Sequence, residues 1–248
     1  MADPVLLAFL AFSFLVAGTV KGAAGIGLPT MAMGLSTLMI DPRAAVALIL
    51  VPMITSNAWQ VYRSGDILRA CRTYLPFAIA LMSFVLITVL ITSTASDTLL
   101  LATLGVAMLI FVTVSVTKWA PRIPSERDNA AQFVAGAIAG IMGGLTSVWA
   151  PPLAVYLAAR RTTKDEFVRA CGLLIFLGSL PLAYGYLRLG NLTSGLFWTS
   201  TALLVPTFAG FALGEHIRGF MSETTFRRML LVLFTLMGLN LIRRAVMG

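Results

Sequence analysis

Apolar residues along this chain fall into long blocks, and charge is confined almost entirely to the short stretches between them. Leu75 to Ile91 and Leu99 to Val116 contain no Asp, Glu, Lys or Arg. Apolar runs of about 18 residues or more read as helices that cross a ~30 Å hydrocarbon core. The pattern predicts apolar helical segments at 5–21, 28–40, 43–62, 74–93, 97–117, 130–144, 146–159, 167–187, 194–214 and 226–246. Lys118 to Asn129, with Pro121, Pro124 and charges of both signs, reads as a linker near the middle of the chain.

Composition extends this. Of the 248 residues 58% are hydrophobic and 11% charged, with mean hydropathy +0.92. A soluble domain carries about 45–50% apolar and about 25% charged residues, so one core could not bury this excess. The net charge of +8 would suggest nucleic acid in a soluble protein. Here Lys and Arg lie between the apolar blocks, where they set topology instead. The start, Met1-Ala2-Asp3-Pro4, lacks the positive n-region of a signal peptide, so the first apolar run is expected to be a retained segment. Cys71 and Cys171 form no metal-ligand pattern or disulfide framework, and His216 is the single histidine. Neither a metal nor a cofactor is expected.

The two halves repeat. Gly18, Gly22 and Gly25 recur as Gly136, Gly140 and Gly143 at a constant offset, each set preceding proline: Pro29 in one half, Pro151 and Pro152 in the other. Arg63-Ser64-Gly65-Asp66-Ile67 recurs as Arg188-Leu189-Gly190-Asn191-Leu192, and Ser96-Asp97 as Ser222-Glu223. Landmarks in the same order across two halves indicate duplication, a common transporter build.

Val5 to Ile40 is too long for one crossing at 1.5 Å per residue. It is interrupted by Gly22-Ala23-Ala24-Gly25-Ile26-Gly27-Leu28-Pro29, where glycine and proline weaken the helix. Segment 130–159 poses the same question. If each broken segment returns to its starting side, thirteen loop Lys and Arg share one side, against Arg43, Arg188, Arg243 and Arg244 on the other. If each crosses once, the split is eight against nine and the bias disappears. Positive charge gathers on the cytoplasmic side, so the hairpin arrangement is expected, with both termini outside the cytoplasm.

The expected fold is therefore all-α: a polytopic transmembrane helical bundle of two inverted repeats, each a broken-helix hairpin plus three full spans. The first repeat is 1–118 (hairpin 5–40; spans 43–62, 74–93 and 97–117). A cytoplasmic linker occupies 119–129. The second repeat is 130–248 (hairpin 130–159; spans 167–187, 194–214 and 226–246).

The candidate site lies where the two hairpins meet. Bare backbone groups within a bilayer must be buried in protein or line a polar cavity. A half-helix N-terminus there presents unpaired N–H groups and partial positive charge to an anion. Glycine lets backbone approach the ligand, and proline fits the first helical turn. Lys21 adds a cation at membrane depth, where a charge is expensive and usually functional, although a snorkelling lysine near the interface is the plainer reading. By the glycine offset its counterpart is Ala139. The candidate substrate-binding residues are Lys21, Gly22, Gly25, Gly27, Pro29, Thr30, Ser56, Asn57, Gly140, Gly143, Gly144, Thr146, Ser147 and Pro151. Asn57 is equally readable as an interhelical hydrogen bonder. Trp149 reads more readily as an interface marker, and Gly210-xxx-Gly214 as close helix packing. Acids are absent from the middle of every predicted span. No carboxylate proton relay is apparent, and an anion leaving a negative-inside cell needs none, since the potential supplies about 2.3 kcal/mol per charge per 100 mV.

At these motifs, Gly18 to Pro29 and Gly136 to Pro152, the sequence resembles the TauE/SafE family of sulfite and organosulfur-anion exporters, over essentially the whole chain. The resemblance implies transport of sulfite, sulfonates or related small anions. The reading is a secondary transporter of a small anion across the cytoplasmic (inner) membrane, exporting by alternating access between the repeats. A passive anion channel is the alternative. An enzyme is not expected: an intramembrane serine type needs a Ser–His pair at depth, and His216 lies at a helix end. The partners admitted are the small anion, the lipid bilayer and further copies of the chain as a homo-oligomer; nucleic acid is not among them.

Overall fold

The computed structural model describes residues 3–117, 123–220 and 223–247. Lys118, Arg122 and Ser222 lie outside the described residues, as do the side chains of Lys164, Arg218, Arg227 and Arg228. The fold is all-helical, with no strand among the described residues. The helices are α1 (Pro4–Ala24), α2 (Leu28–Ser36), α3 (Pro42–Ser64), α4 (Ile67–Thr73), α5 (Leu75–Ile91), α6 (Asp97–Thr117), α7 (Asp128–Thr146), α8 (Ala150–Ala159), α9 (Lys164–Arg188), α10 (Ser194–Ala202), α11 (Leu204–Phe220) and α12 (Glu223–Met247). Among the described residues Pro4–Ala24, Pro42–Ser64, Leu75–Thr94, Asp97–Thr117, Asp165–Arg188 and Ser194–Ile217 are long and apolar enough to cross a membrane.

Local chemistry sets the helix starts. Asp3 and Asp41 accept from the N–H of Val5 (2.9 Å) and Ala44 (2.8 Å), each followed by proline in the first turn. Thr163 and Thr193 cap α9 and α10 in the same way. These side chains satisfy N–H groups that have no intrahelical acceptor.

Two features differ from the sequence pattern. The expected loop 63–73 contains α4, opened by Asp66 in the left-handed region (φ +47°). The expected span 194–214 is divided at Leu203 into α10 and α11, because Pro206 belongs to a first helical turn and cannot donate back to Ala202. Pro52 stays inside α3. It leaves the Leu48 carbonyl without its helical donor, and the Ser200 hydroxyl of α10 donates to that carbonyl at 2.6 Å.

The helices pack in pairs: α1 along α11, α5 along α7, α6 along α12 and α3 against α9. Glycine permits the first two. A Cβ at Gly18 or Gly22 would fall 2.1 Å from the carbonyl oxygen of Thr207 or Phe211. Gly210 and Gly214 meet the carbonyls of Leu15 and Thr19 in return (2.0 and 2.1 Å). Across the bundle Gly136 and Gly140 meet the carbonyls of Phe77 and Leu81 (2.5 and 2.8 Å). Without hydrophobic drive between helices in lipid, such close backbone approach supplies the packing. The rising numbers on both members make α1 parallel to α11, and α7 parallel to α5.

These contacts also fix where each short helix goes. The α8 terminus returns to the start of α7: Tyr156 Oη donates to Asp128 Oδ1 at 2.9 Å and Arg160 Nη1 lies 3.6 Å from Asp128 Oδ2. At that end Tyr74 also donates to Glu166 Oε1 at 2.7 Å, and burial together with this carboxylate pushes the Tyr74 phenol up. The α2 terminus lies at the opposite end. There Arg244 of α12 donates to the Thr37 carbonyl, and Arg43 at the start of α3 pairs with Asp97 at the start of α6 (3.1 Å). The described basic residues separate accordingly. Arg63, Arg69, Arg72, Arg127, Arg160, Arg161 and Arg169 occupy the Asp128 end, and Arg43, Arg188, Arg243 and Arg244 the other, with Lys21 buried between them.

Candidate functional site

α1 closes at Gly25, whose φ of +77° bends the chain out of the helix while its N–H still reaches the Lys21 carbonyl (2.7 Å). Gly27 at φ +107° then starts α2. Both angles favour glycine. A full residue would also collide at Gly25, where a Cβ would lie 2.9 Å from Val168 of α9.

Lys21 lies one turn before this break, inside α1, and is 1% exposed. Burial removes the snorkelling alternative. Its Nζ donates to Asn57 Oδ1 at 2.6 Å, and Asn57 Nδ2 donates to the Met53 carbonyl at 2.7 Å. Among the described residues no carboxylate pairs with Lys21. The buried Cys171 thiol of α9 lies within electrostatic reach of the ammonium. A neutral amide oxygen supplies no counter-charge to a protonated Lys21.

Gln60, one turn beyond Asn57 on α3, ties the break to α9. Its Nε2 donates to the carbonyls of Gly25 (3.1 Å) and Val168 (2.6 Å). Two carbonyl acceptors fix the orientation of the amide, and Gln60 Oε1 remains buried with no partner among the described residues. Gly172 makes room: a Cβ there would sit 3.0 Å from Gln60 Cγ. Sequence reasoning missed Gln60; its signal was a polar residue three positions after Asn57, on the same helix face.

The second break uses other residues. Ser147, in the left-handed region at φ +58°, ends α7, and its N–H reaches the Gly143 carbonyl at 2.8 Å. Thr146 Oγ1 donates to the Met142 carbonyl and accepts from the Val148 N–H (3.3 Å). Trp149 precedes α8 and is 1% exposed. It is buried inside the bundle, not placed at a membrane interface. Its indole covers Gly143, where a Cβ would fall 1.7 Å from Nε1, and reaches Gly178 of α9. Ser147 Oγ and Trp149 Nε1 are both buried and, among the described residues, without partners.

The candidate residues therefore fall into two groups. Lys21, Gly25, Asn57 and, at the start of α2, Gly27, Pro29 and Thr30 lie at the first break, while Ser56, next to Asn57 on α3, donates within its own helix to the Met53 carbonyl; all are buried. Gly143, Thr146, Ser147 and Pro151 surround the second, also buried. Gly22, Gly140 and Gly144 face neighbouring helices instead: Phe211 of α11, Leu81 and Phe84 of α5, and Thr88 and Val85 of α5. α9 touches both groups, at Val168 and Gly172 on one side and Gly178 on the other. Gly172 and Gly178 are about 9 Å apart along that helix. The α8 N-terminus has fewer donors than its α2 counterpart. Leu28 and Thr30 bracket Pro29 in the first turn of α2, whereas Pro151 and Pro152 leave Ala150 as the first-turn donor of α8.

Neither a curated protein nor a solved structure matches the chain. A family model does, over residues 10–241, from within α1 to within α12 and across both breaks: it is that of the sulfite exporter TauE/SafE, so this multi-pass membrane protein belongs to that family of transporters.

Proposed function

We propose that the protein is a secondary transporter exporting a small anion, sulfite or an organosulfonate, across the cytoplasmic membrane by alternating access between its halves. One observation carries the reading: the Lys21 amine is buried, bonded to a neutral amide and, among the described residues, paired with no acid. A charge placed there costs free energy unless something negative arrives. The backbone donors at the start of α2 favour the same ligand sign. Such a site attracts anions from a negative-inside cell, and the potential then drives them outward.

Alternating access is supported by the arrangement of the hairpins. The α7–α8 hairpin opens from the Asp128 end and the α1–α2 hairpin from the Arg43 end. α1 packs on α11 as α7 packs on α5, the exchange that two inverted repeats would make. On this reading the arginine-rich Asp128 end faces the cytoplasm and both termini lie outside it.

The test is solid-supported-membrane electrophysiology on reconstituted protein, with sulfite, sulfate, thiosulfate, taurine, sulfoacetate and chloride. The expected result is a saturable current for a sulfur oxyanion that disappears in Lys21→Met. Folded protein giving no current with any anion would sink the electrogenic anion reading. Counterflow separates the carrier from a channel, because a carrier accelerates exchange of labelled for unlabelled anion and a channel does not.

A further inference from the structure

The second break carries two buried donors that have no partner among the described residues. Ser147 Oγ and Trp149 Nε1 lack partners, on residues exposed to 0% and 1%. An indole N–H has no acceptor role and no alternative rotor, so burying it unpaired costs free energy. Phenylalanine, which has no polar atom, could fill most of this space with no such cost. The placement is specific: the indole lies over Gly143 and against Gly178, and a side chain at Gly143 would expel it.

The neighbouring backbone explains why side chains would act here. Pro151 and Pro152 remove two of the N–H groups that a half-helix N-terminus would otherwise offer. Val148 N–H is occupied by Thr146 Oγ1. Beside the Ala150 N–H, the hydroxyl and the indole are left as donors to do what backbone does at the start of α2.

We propose that Trp149 Nε1–H and Ser147 Oγ–H form a second seat for the transported anion, a pair of neutral donors that each bind one oxygen of a sulfite or sulfonate group. This rests on the anion reading above. The first seat attracts by charge, through Lys21. The second holds by two hydrogen bonds, which suits a ligand with several oxygens better than a halide. α9, touching both breaks, would be the wall along which the anion passes between them.

The experiment uses the full chain with Trp59, Trp119 and Trp198 replaced by Phe, so that Trp149 emits alone. Sulfite and methanesulfonate are titrated against chloride at equal ionic strength, and liposome flux is measured in parallel. The expected result is a saturable shift of Trp149 emission with either sulfur oxyanion and none with chloride. Trp149→Phe, which keeps a ring, and Ser147→Gly, which suits the positive φ, should each raise the half-saturating concentration of the flux about tenfold. Their melting temperatures without ligand should stay near that of the parent. Silent Trp149 emission with unchanged half-saturation in both variants, while flux stays saturable and dependent on Lys21, would overturn this proposal alone. Absence of any saturable response in the parent would overturn the anion reading and this seat with it.

Discussion

At the first break the chain turns on Gly25 and Gly27, at φ +77° and +107°, and meets an ammonium, two amides and a thiol. At the second it turns on Ser147, at φ +58°, and meets an indole, a hydroxyl and two prolines. The same glycine spacing leads into both, yet Lys21 in one half corresponds to Ala139 in the other. The repeated glycines explain the helix crossings, Gly18 and Gly22 on α11, Gly136 and Gly140 on α5. Binding chemistry is not repeated with them. On the proposed two-repeat reading, the halves share a scaffold with two breaks, and substitution within each break makes them different: one carries a lysine and more backbone donors, the other depends on neutral side chains.

Removing the charge should separate the breaks most clearly. Lys21→Met should lower sulfite flux by about a hundredfold or more, since a charge-assisted contact is worth about 1.5–3 kcal/mol and the long-range attraction goes with it. The ligand-free protein should melt at a higher temperature, because a buried cation without a counter-charge is replaced by an apolar chain of similar length. Flux and thermal unfolding, measured on one preparation, check both signs. Lower flux with lower stability would make Lys21 a structural hydrogen-bond donor to Asn57 and would erase the contrast. Gly143→Ala is next: its Cβ must displace an indole atom 1.7 Å away. Overpacking of this kind costs about 1–3 kcal/mol, and flux should fall tenfold or more with a lower melting temperature.

How these differences relate to the sequence follows from where their causes lie. Segment limits were readable because lipid forces the backbone into helices, and Asp3-Pro4, Asp41-Pro42 and Gly25-Ile26-Gly27 mark the ends chemically. The positions of Lys21 and Asn57 were visible as polar residues in apolar blocks, but not that they touch, 36 residues apart. Gln60 reaches Val168 across 108 residues, a pairing no local period encodes. The burial of Trp149 depends on Gly143 giving up a side chain, which reads in sequence as one glycine among 21. The helix α4 was hidden for another reason: seven residues are too few to display a period.

Backbone strain gives a smaller effect with opposite expectations at the two turns. Gly25→Ala places a Cβ in the left-handed region, a conformation costing about 1–2 kcal/mol for an L-residue, and crowds Val168 as well. Ser147→Gly removes such a penalty at the second turn and adds chain entropy on unfolding, so the two terms offset to within about 1 kcal/mol. Chemical or thermal denaturation in detergent should show Gly25→Ala clearly destabilised and Ser147→Gly near the parent. Equal losses would mean that Ser147 Oγ has a structural partner, against its role as a free donor.

The smallest effect belongs to the mouth of the second hairpin. Tyr156→Phe deletes the hydroxyl that donates to Asp128 Oδ1 and touches Arg160 Nη1 at 3.3 Å. One such bond is worth about 0.5–1.5 kcal/mol. The matching pair at the other end, Arg43 with Asp97, is half in solvent on the Asp97 side, and Asp97→Ala should cost under about 1 kcal/mol. If the two ends open in turn during transport, Tyr156→Phe should loosen one end and Asp97→Ala the other. Their effects on accessibility should then differ in sign: a cysteine reagent should label a thiol introduced at Ser147 faster from the Asp128 end in Tyr156→Phe, and faster from the Arg43 end in Asp97→Ala. Labelling raised from the same end by both changes would mean that the ends are not coupled through the bundle, and that the breaks differ in chemistry without alternating in access.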